Sequence, residues 1–262
     1  IGNLTDNSQI VGARVFYTRA NSDGHTSIYE TDSSSSFENL LYTFATTGGV
    51  TINDLYLDKV NQDLYFLATP LNGATSTYVM QTSLSNFDPQ PIYVIPIEIN
   101  TISEFKLNPI TGHLFWSVEY GNYKGLYSYD PVANQVITLN NFTVSTFCFN
   151  TLGDLFYASN NSLYDLQGNI IFSASGNIIS AHYLTPTSSF ILQTGNQIET
   201  DQGVVIYQSH VGGSIFDMDI DHINQKIIFN VSHSSASIDI DGNNLNYNLI
   251  FQNIPYSSSI IF

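Results

Sequence analysis

Residues 214–229 read SIFDMDIDHINQKIIF and place Asp217, Asp219 and Asp221 at alternate positions among apolar residues. A calcium-binding EF-hand loop also spaces its oxygen ligands at alternate positions. It further needs Gly at its sixth place for the sharp turn and a bidentate Glu at its twelfth. Counted from Asp217, those places hold His222 and Ile228. The alternation therefore has the period of a strand, with Met218 and Ile220 on one face and Asp217 and Asp219 on the other. What decides the fold is that this stretch recurs.

Five segments share the pattern of a short strand, a polar turn and a strand of aromatic and aliphatic residues. They are INDLYLDKVNQDLYFLA from Ile52, ISEFKLNPITGHLFWSV from Ile102, VSTFCFNTLGDLFYAS from Val144, ISAHYLTPTSSFILQT from Ile179 and IFDMDIDHINQKIIFNV from Ile215. A sixth is split between GARVFYT from Gly12 and YSSSIIF, residues 256–262. Two more short strands follow most pairs, as in GLYSYD with QVITL and SLYDL with NIIFSA. The turns are rich in Asp, Asn and Gly, as hairpins require. No helical period is sustained anywhere.

Repeats of roughly 35 to 50 residues, each with four short antiparallel strands, describe an all-β, six-bladed β-propeller in one domain over residues 1–262. The expected blades span residues 256–262 with 11–45, then 51–96, 101–140, 144–175, 179–210 and 214–253. The first blade is expected to close through the C-terminal strand, which removes an open sheet edge.

The pieces DMDIDHINQKIIFNVSHSSASIDIDG, DLYLDKVNQDLYFLA and EFKLNPITGHLFWSVEYGNYKGLYSYD resemble the YWTD-type six-bladed propeller of the LDL-receptor family. In that family each repeat runs through a short inner strand, a turn, a YWTD-like aromatic strand and a strand ending near Asp-Gly. Here the YWTD core is replaced in every blade, by FYTR, YFLA, FWSV, FYAS, ILQT and IFNV. NHL and lactonase-type propellers fit the same strand pattern.

Composition narrows the partners. Six basic residues against 22 acidic ones give a net charge of −16, which repels nucleic acid and anionic membrane surfaces and attracts cations or basic proteins. No apolar run of about twenty residues exists, so no membrane-spanning helix is expected. Opening on Ile1, the chain reads as processed or trimmed. Cys148 is the sole cysteine and reads as a small core residue. Glycosylation sequons stand at Asn3, Asn141, Asn160 and Asn230, although about five would arise by chance in a chain this rich in Asn, Ser and Thr.

Inner strands of a propeller line its central channel. Asp54, Glu104 and Asp217 occupy equivalent inner-strand positions and form the candidate metal site, with calcium as the candidate cofactor, since neighbouring carboxylates repel unless a cation sits among them. The competing account is solvation, or pairing with Lys106. No Gly-x-Ser-x-Gly elbow and no His pair with metal-ligand spacing appears, and His182 reads as a core residue. Tyr65, Phe115, Phe156 and Phe229 are expected to pack between blades. Trp116, Tyr120 and Tyr123, around EYGNYKG, are the exposed ligand-contact candidates. The resulting expectation is a non-catalytic, secreted or cell-surface binding or adhesion module with a protein or carbohydrate partner. The alternatives are a calcium-dependent, lactonase-like hydrolase and a structural subunit of an extracellular assembly.

Overall fold

The computed structural model describes residues 14–20, 26–32, 38–43, 50–58, 61–70, 76–95, 102–119, 121–185, 187–209, 215–221, 225–231 and 234–248. Every regular element among them is a strand, and the strands group into two compact units, residues 1–100 with 249–262 and residues 101–248.

The first unit holds two antiparallel sheets. One has three strands, β1 (Arg14–Ala20), β2 (Thr26–Asp32) and β3 (Glu38–Thr43), paired in that order. The other is the meander β4 (Val50–Asp58), β5 (Asp63–Pro70), β6 (Thr77–Ser83) and β7 (Asn86–Ile95). Phe16 and Ile28 pack with Ile52, Leu55, Leu64 and Phe66 in one cluster.

The second unit is four meanders in succession. They are β8 (Glu104–Leu107), β9 (Leu114–Val118), β10 (Gly125–Asp130) and β11 (Gln135–Asn140); then β12 (Thr146–Phe149), β13 (Leu155–Ser159), β14 (Ser162–Asp165) and β15 (Ile170–Ser173). The third has β16 (Ile178–Leu184), β17 (Ser189–Thr194), β18 (Gln197–Thr200) and β19 (Val205–Gln208). The fourth has β20 (Ile215–Asp221), β21 (Lys226–Val231), β22 (Ser234–Asp239) and β23 (Asn246–Asn248). Each sheet pairs its strands in sequence order.

Six four-stranded blades were expected. Five sheets have four strands and the first has three. Its fourth strand was assigned to residues 256–262, which lie outside the described residues, so the closure of that blade is not shown. Asp221 ends β20 opposite Lys226 and is buried.

Two local devices repeat. The first is a side-chain oxygen that caps the turn between the first two strands of a sheet. Asp58 Oδ1 accepts from the Asn61 amide at 3.0 Å, Asn108 Oδ1 from Ile110 and Thr111, and Asn150 Oδ1 from Leu152 and Asp154. Such Asx turns replace strand bonds that the reversing chain cannot make. The second is a register shift where the last two strands of a sheet meet, at Ile28/Tyr29, Val79/Met80, Leu126/Tyr127, Leu163/Tyr164 and Ile198/Glu199. A bulge adds twist, so the outer strand is turned relative to the inner one.

The core of the second unit lies between sheets. Phe115, Leu126, Phe147 and Tyr157 fill one gap, and Cys148, Leu163, Phe190 and Leu192 the next. Ile191, Ile198, Met218, Ile227 and Phe229 fill the last. Tyr65, Phe115 and Phe229 are buried as expected, and Phe156 packs partly buried against its cluster. Burial pushes the Cys148 thiol up to about 12, against the smaller pull of Lys106. The thiolate is the reactive form, so the folded protein at pH 8 should resist a thiol-reactive dye and react once unfolded in urea. Rapid labelling of the folded chain would contradict this packing.

Gly125 starts β10 with φ +152, and a Cβ there would lie 2.4 Å from the Asn140 backbone oxygen. That contact is main chain and cannot swing aside. Gly125→Ala should therefore lose about 2 kcal/mol of stability, read as a shift in the urea midpoint.

Candidate functional site

The inner strands β8, β12, β16 and β20 carry polar side chains at period two, so residues i and i+2 share a face. This places Glu104 beside Lys106, with Glu104 Oε1 2.6 Å from Lys106 Nζ. Both groups then reach the next sheet. The Phe147 amide donates to Glu104 Oε2 at 2.7 Å, the Thr146 hydroxyl donates to Oε1 at 3.2 Å, and Lys106 donates to the Phe147 carbonyl at 2.5 Å. Lys106 also lies 5.4 Å from the centre of the Phe147 ring. The carboxylate thus has an ammonium, a hydroxyl and an amide as partners. That is the charge-assisted pattern of a clamp between sheets.

The other members of the expected metal set are placed by backbone alone. Asp54 pairs with Leu67 just past a bulge in β4. Asp217 sits in β20 between Ile215 and Met218, where the register shifts. Their side chains lie outside the described residues. Among the described residues, no group of three or more His, Cys, Asp and Glu side chains converges on a metal-sized site.

A second polar line joins β16 to β20. Ser180 and His182 share a face of β16, and Ser180 Oγ is 3.1 Å from His182 Nε2. His182 Nδ1 is 3.4 Å from Asp219 Oδ1, which also accepts from the Ile220 amide at 2.8 Å. With the ring proton on Nδ1 facing Asp219, Nε2 accepts from the Ser180 hydroxyl. His182 was expected in the core. It is instead partly exposed and held between a hydroxyl and a carboxylate. Its sequence signal was the alternation Ser180, His182 in one inner strand beside Asp217, Asp219 in another.

The expected contact loop changes more. Trp116 is fully buried, because β9 is covered on both faces, and its ring stacks on Tyr127 at 5.7 Å and 11°. It is therefore no surface contact. Tyr123 is 40% exposed and its carbonyl accepts from the Tyr127 hydroxyl at 2.6 Å. Tyr120 lies outside the described residues. Of the sequons, Asn141 and Asn160 stand exposed in turns. Asn230 belongs to β21 opposite Ser235, with its side chain undescribed, and Asn3 falls outside the described residues.

No protein family and no curated protein matches the chain. Solved structures do. A chain of a nidogen/laminin complex aligns with TM-score 0.68 and 12% identity, over 94% of this chain and 97% of that one. TolB from Acinetobacter baumannii aligns with TM-score 0.68 and 10% identity, over 95% and 66%. The β-propeller domain of Myceliophteria thermophila Cps50 (Swd1) aligns with TM-score 0.60 and 12% identity, over 88% and 81%. At such identities the likeness shows the fold alone, and that fold is an all-β propeller.

Proposed function

We propose that the chain is a non-catalytic, protein-binding propeller acting in the secretory pathway or outside the cell. The observation that carries this reading is on the fourth strands. Ile92 and Val94 on β7, Val136 and Ile137 on β11, Ile170 and Ile171 on β15, and Val204 and Val205 beside or on β19 are all exposed, with Ile170 and Val204 at 60%. Branched aliphatic residues repeated along outer edge strands are the kind of surface that another protein covers. The mixed company of the fold supports it: one solved neighbour comes from a nidogen/laminin complex and another from a mitotic checkpoint complex. A protein partner is favoured over carbohydrate because Trp116 is packed inside rather than offered to a sugar. The acidic balance supports a secreted or cell-surface setting.

The test is to immobilise the protein and compare it with an Ile137→Thr, Ile170→Thr variant. A partner held by the parent chain, identified and then shown to bind as a purified protein, should be lost from the variant. If both proteins retain the same set, the outer strands are not the contact surface.

A hydrolytic reading is favoured by one specific observation, the Ser180–His182–Asp219 line, which has the order of nucleophile, base and orienting acid. A fluorophosphonate probe decides it. The Ser180 oxygen would form the bond to phosphorus, fluoride would leave, and His182 would take the hydroxyl proton. Labelling that Ser180→Ala abolishes would establish the nucleophile; an unlabelled parent protein would leave the line as a bridge between sheets.

A further inference from the structure

A cleft of about 470 Å³ opens between the third and fourth sheets of the second unit. It is lined by Thr187–Ser189 from the β16–β17 turn, Thr200–Gln202 and Val204–Ile206 around the β18–β19 turn, and Ile240 with Asp241 after β22. These turns stand at one end of the sheets, whereas Tyr123 lies in a turn at the opposite end of its own sheet. The cleft is thus separate from the inner-strand bridges and from the Tyr123 loop.

Its walls are locked. Thr200 donates its amide to the Val204 carbonyl at 2.9 Å, and its hydroxyl accepts from the Gln202 and Val204 amides. The Asp201 amide donates to the Phe190 carbonyl at 3.1 Å. On the other side, the Asp241 carboxylate accepts from the Asn243 amide at 3.0 Å, and that bond holds its carboxyl below the usual range. Gly242 brings the two walls together: a Cβ on it would lie 3.3 Å from the Ile206 backbone oxygen.

The lining chemistry is selective. Two carboxylates, Asp201 and Asp241, stand among hydroxyls and the aliphatic Val204, Val205, Ile206 and Ile240, and the described lining residues include no basic and no aromatic side chain. Asp201 is partly exposed and Asp241 exposed, and Asp201 Oδ1, itself shut off from water, has no hydrogen-bond partner among the described residues, an expensive arrangement for a carboxylate. Anions are repelled, and a sugar finds no ring to stack on. What fits is a cation on an aliphatic stem. The volume lies in the range of small-ligand sites, about 300–1,000 Å³. The cleft also runs beside β19, an edge strand, so a chain can enter and leave along it.

We infer that this cleft receives an arginine or lysine side chain, with its apolar neighbour, from a basic segment of a partner protein. The inference rests on the protein-binding reading and adds where a partner is gripped and by what chemistry. The acidic balance of the whole chain, −16, would draw such a segment in.

The probe is the tripeptide acetyl-Leu-Arg-Leu-amide, titrated into the full chain while backbone amide resonances are followed. Saturable shifts should appear at residues 187–189, 200–204 and 241. The citrulline counterpart, which keeps the shape and lacks the charge, should bind at least tenfold more weakly, as should the arginine peptide to Asp201→Asn and to Asp241→Asn. Thermal melting of each variant verifies that it is folded. Arginine amide alone should bind more weakly than the tripeptide; equal affinity would assign the cleft to free amines and overturn the peptide source. No saturable shift, equal binding of the citrulline peptide, or indifference to both substitutions would overturn the cleft itself. The two readings fail separately. A partner lost by the Ile137→Thr, Ile170→Thr variant but held fully by Asp201→Asn would keep the protein-binding function and discard this cleft.

Discussion

Trp116→Ala is expected to remove about 3–5 kcal/mol of stability, the range for truncating a fully buried aromatic ring. Trp116 has no exposed surface, every residue of β9 is buried, and the indole stacks on Tyr127 while Phe105 stands opposite it in the neighbouring strand. Truncation leaves a void whose lining belongs to three paired strands. Their register limits how far they can collapse into it. The chain has one tryptophan, so the variant loses its indole fluorescence, and unfolding must be followed by circular dichroism. Trp116→Phe keeps a ring at the site and should cost less than half as much. A loss below about 1 kcal/mol for the alanine variant would mean that the ring is not part of the core. The original expectation of a surface contact would then return.

Why that expectation failed is instructive. The repeat was legible because its segments share a period-two strand, a polar turn and a strand of aromatic and aliphatic residues. Periodicity speaks to strands with one wet face, such as β8, where Phe105 and Leu107 are buried and Glu104 and Lys106 are partly exposed. It is silent on β9, whose five residues are all covered. Trp116 therefore took its assignment from the polar loop that follows it. The register shifts between the last two strands of the sheets were equally illegible, since a bulge adds one residue and leaves no compositional trace. His182 was misread for a different reason. Its partner Asp219 belongs to another sheet, and only the packing of β16 against β20 brings the two together.

Glu104 shows how a position can be legible when its role is not. Its place on an inner strand, and its neighbour Lys106, could be read from the repeat. Its bonds to Thr146 and Phe147 could not, because they cross to the next sheet. The calcium reading and the clamp reading predict opposite responses to Glu104→Gln. If Glu104 were a calcium ligand crowded by other carboxylates, neutralising it would relieve repulsion in the metal-free protein and abolish any stabilisation by calcium. As a clamp, the carboxylate offsets the Lys106 charge and accepts the Phe147 amide, so neutralising it should destabilise the protein with or without calcium. Breaking a fully buried pair costs about 3–5 kcal/mol. Here each side chain keeps 18% exposure, so water screens part of the loss, and about 2 kcal/mol is expected for Glu104→Gln. Glu104→Ala should exceed that, since it leaves the Phe147 amide without its acceptor. The double variant Glu104→Gln, Lys106→Met should lose less than the two single losses added, because the second change removes the cation that the first left unpaired. Strict additivity, or a melting temperature that rises with calcium in the parent and not in Glu104→Gln, would transfer Glu104 from the clamp to a metal site.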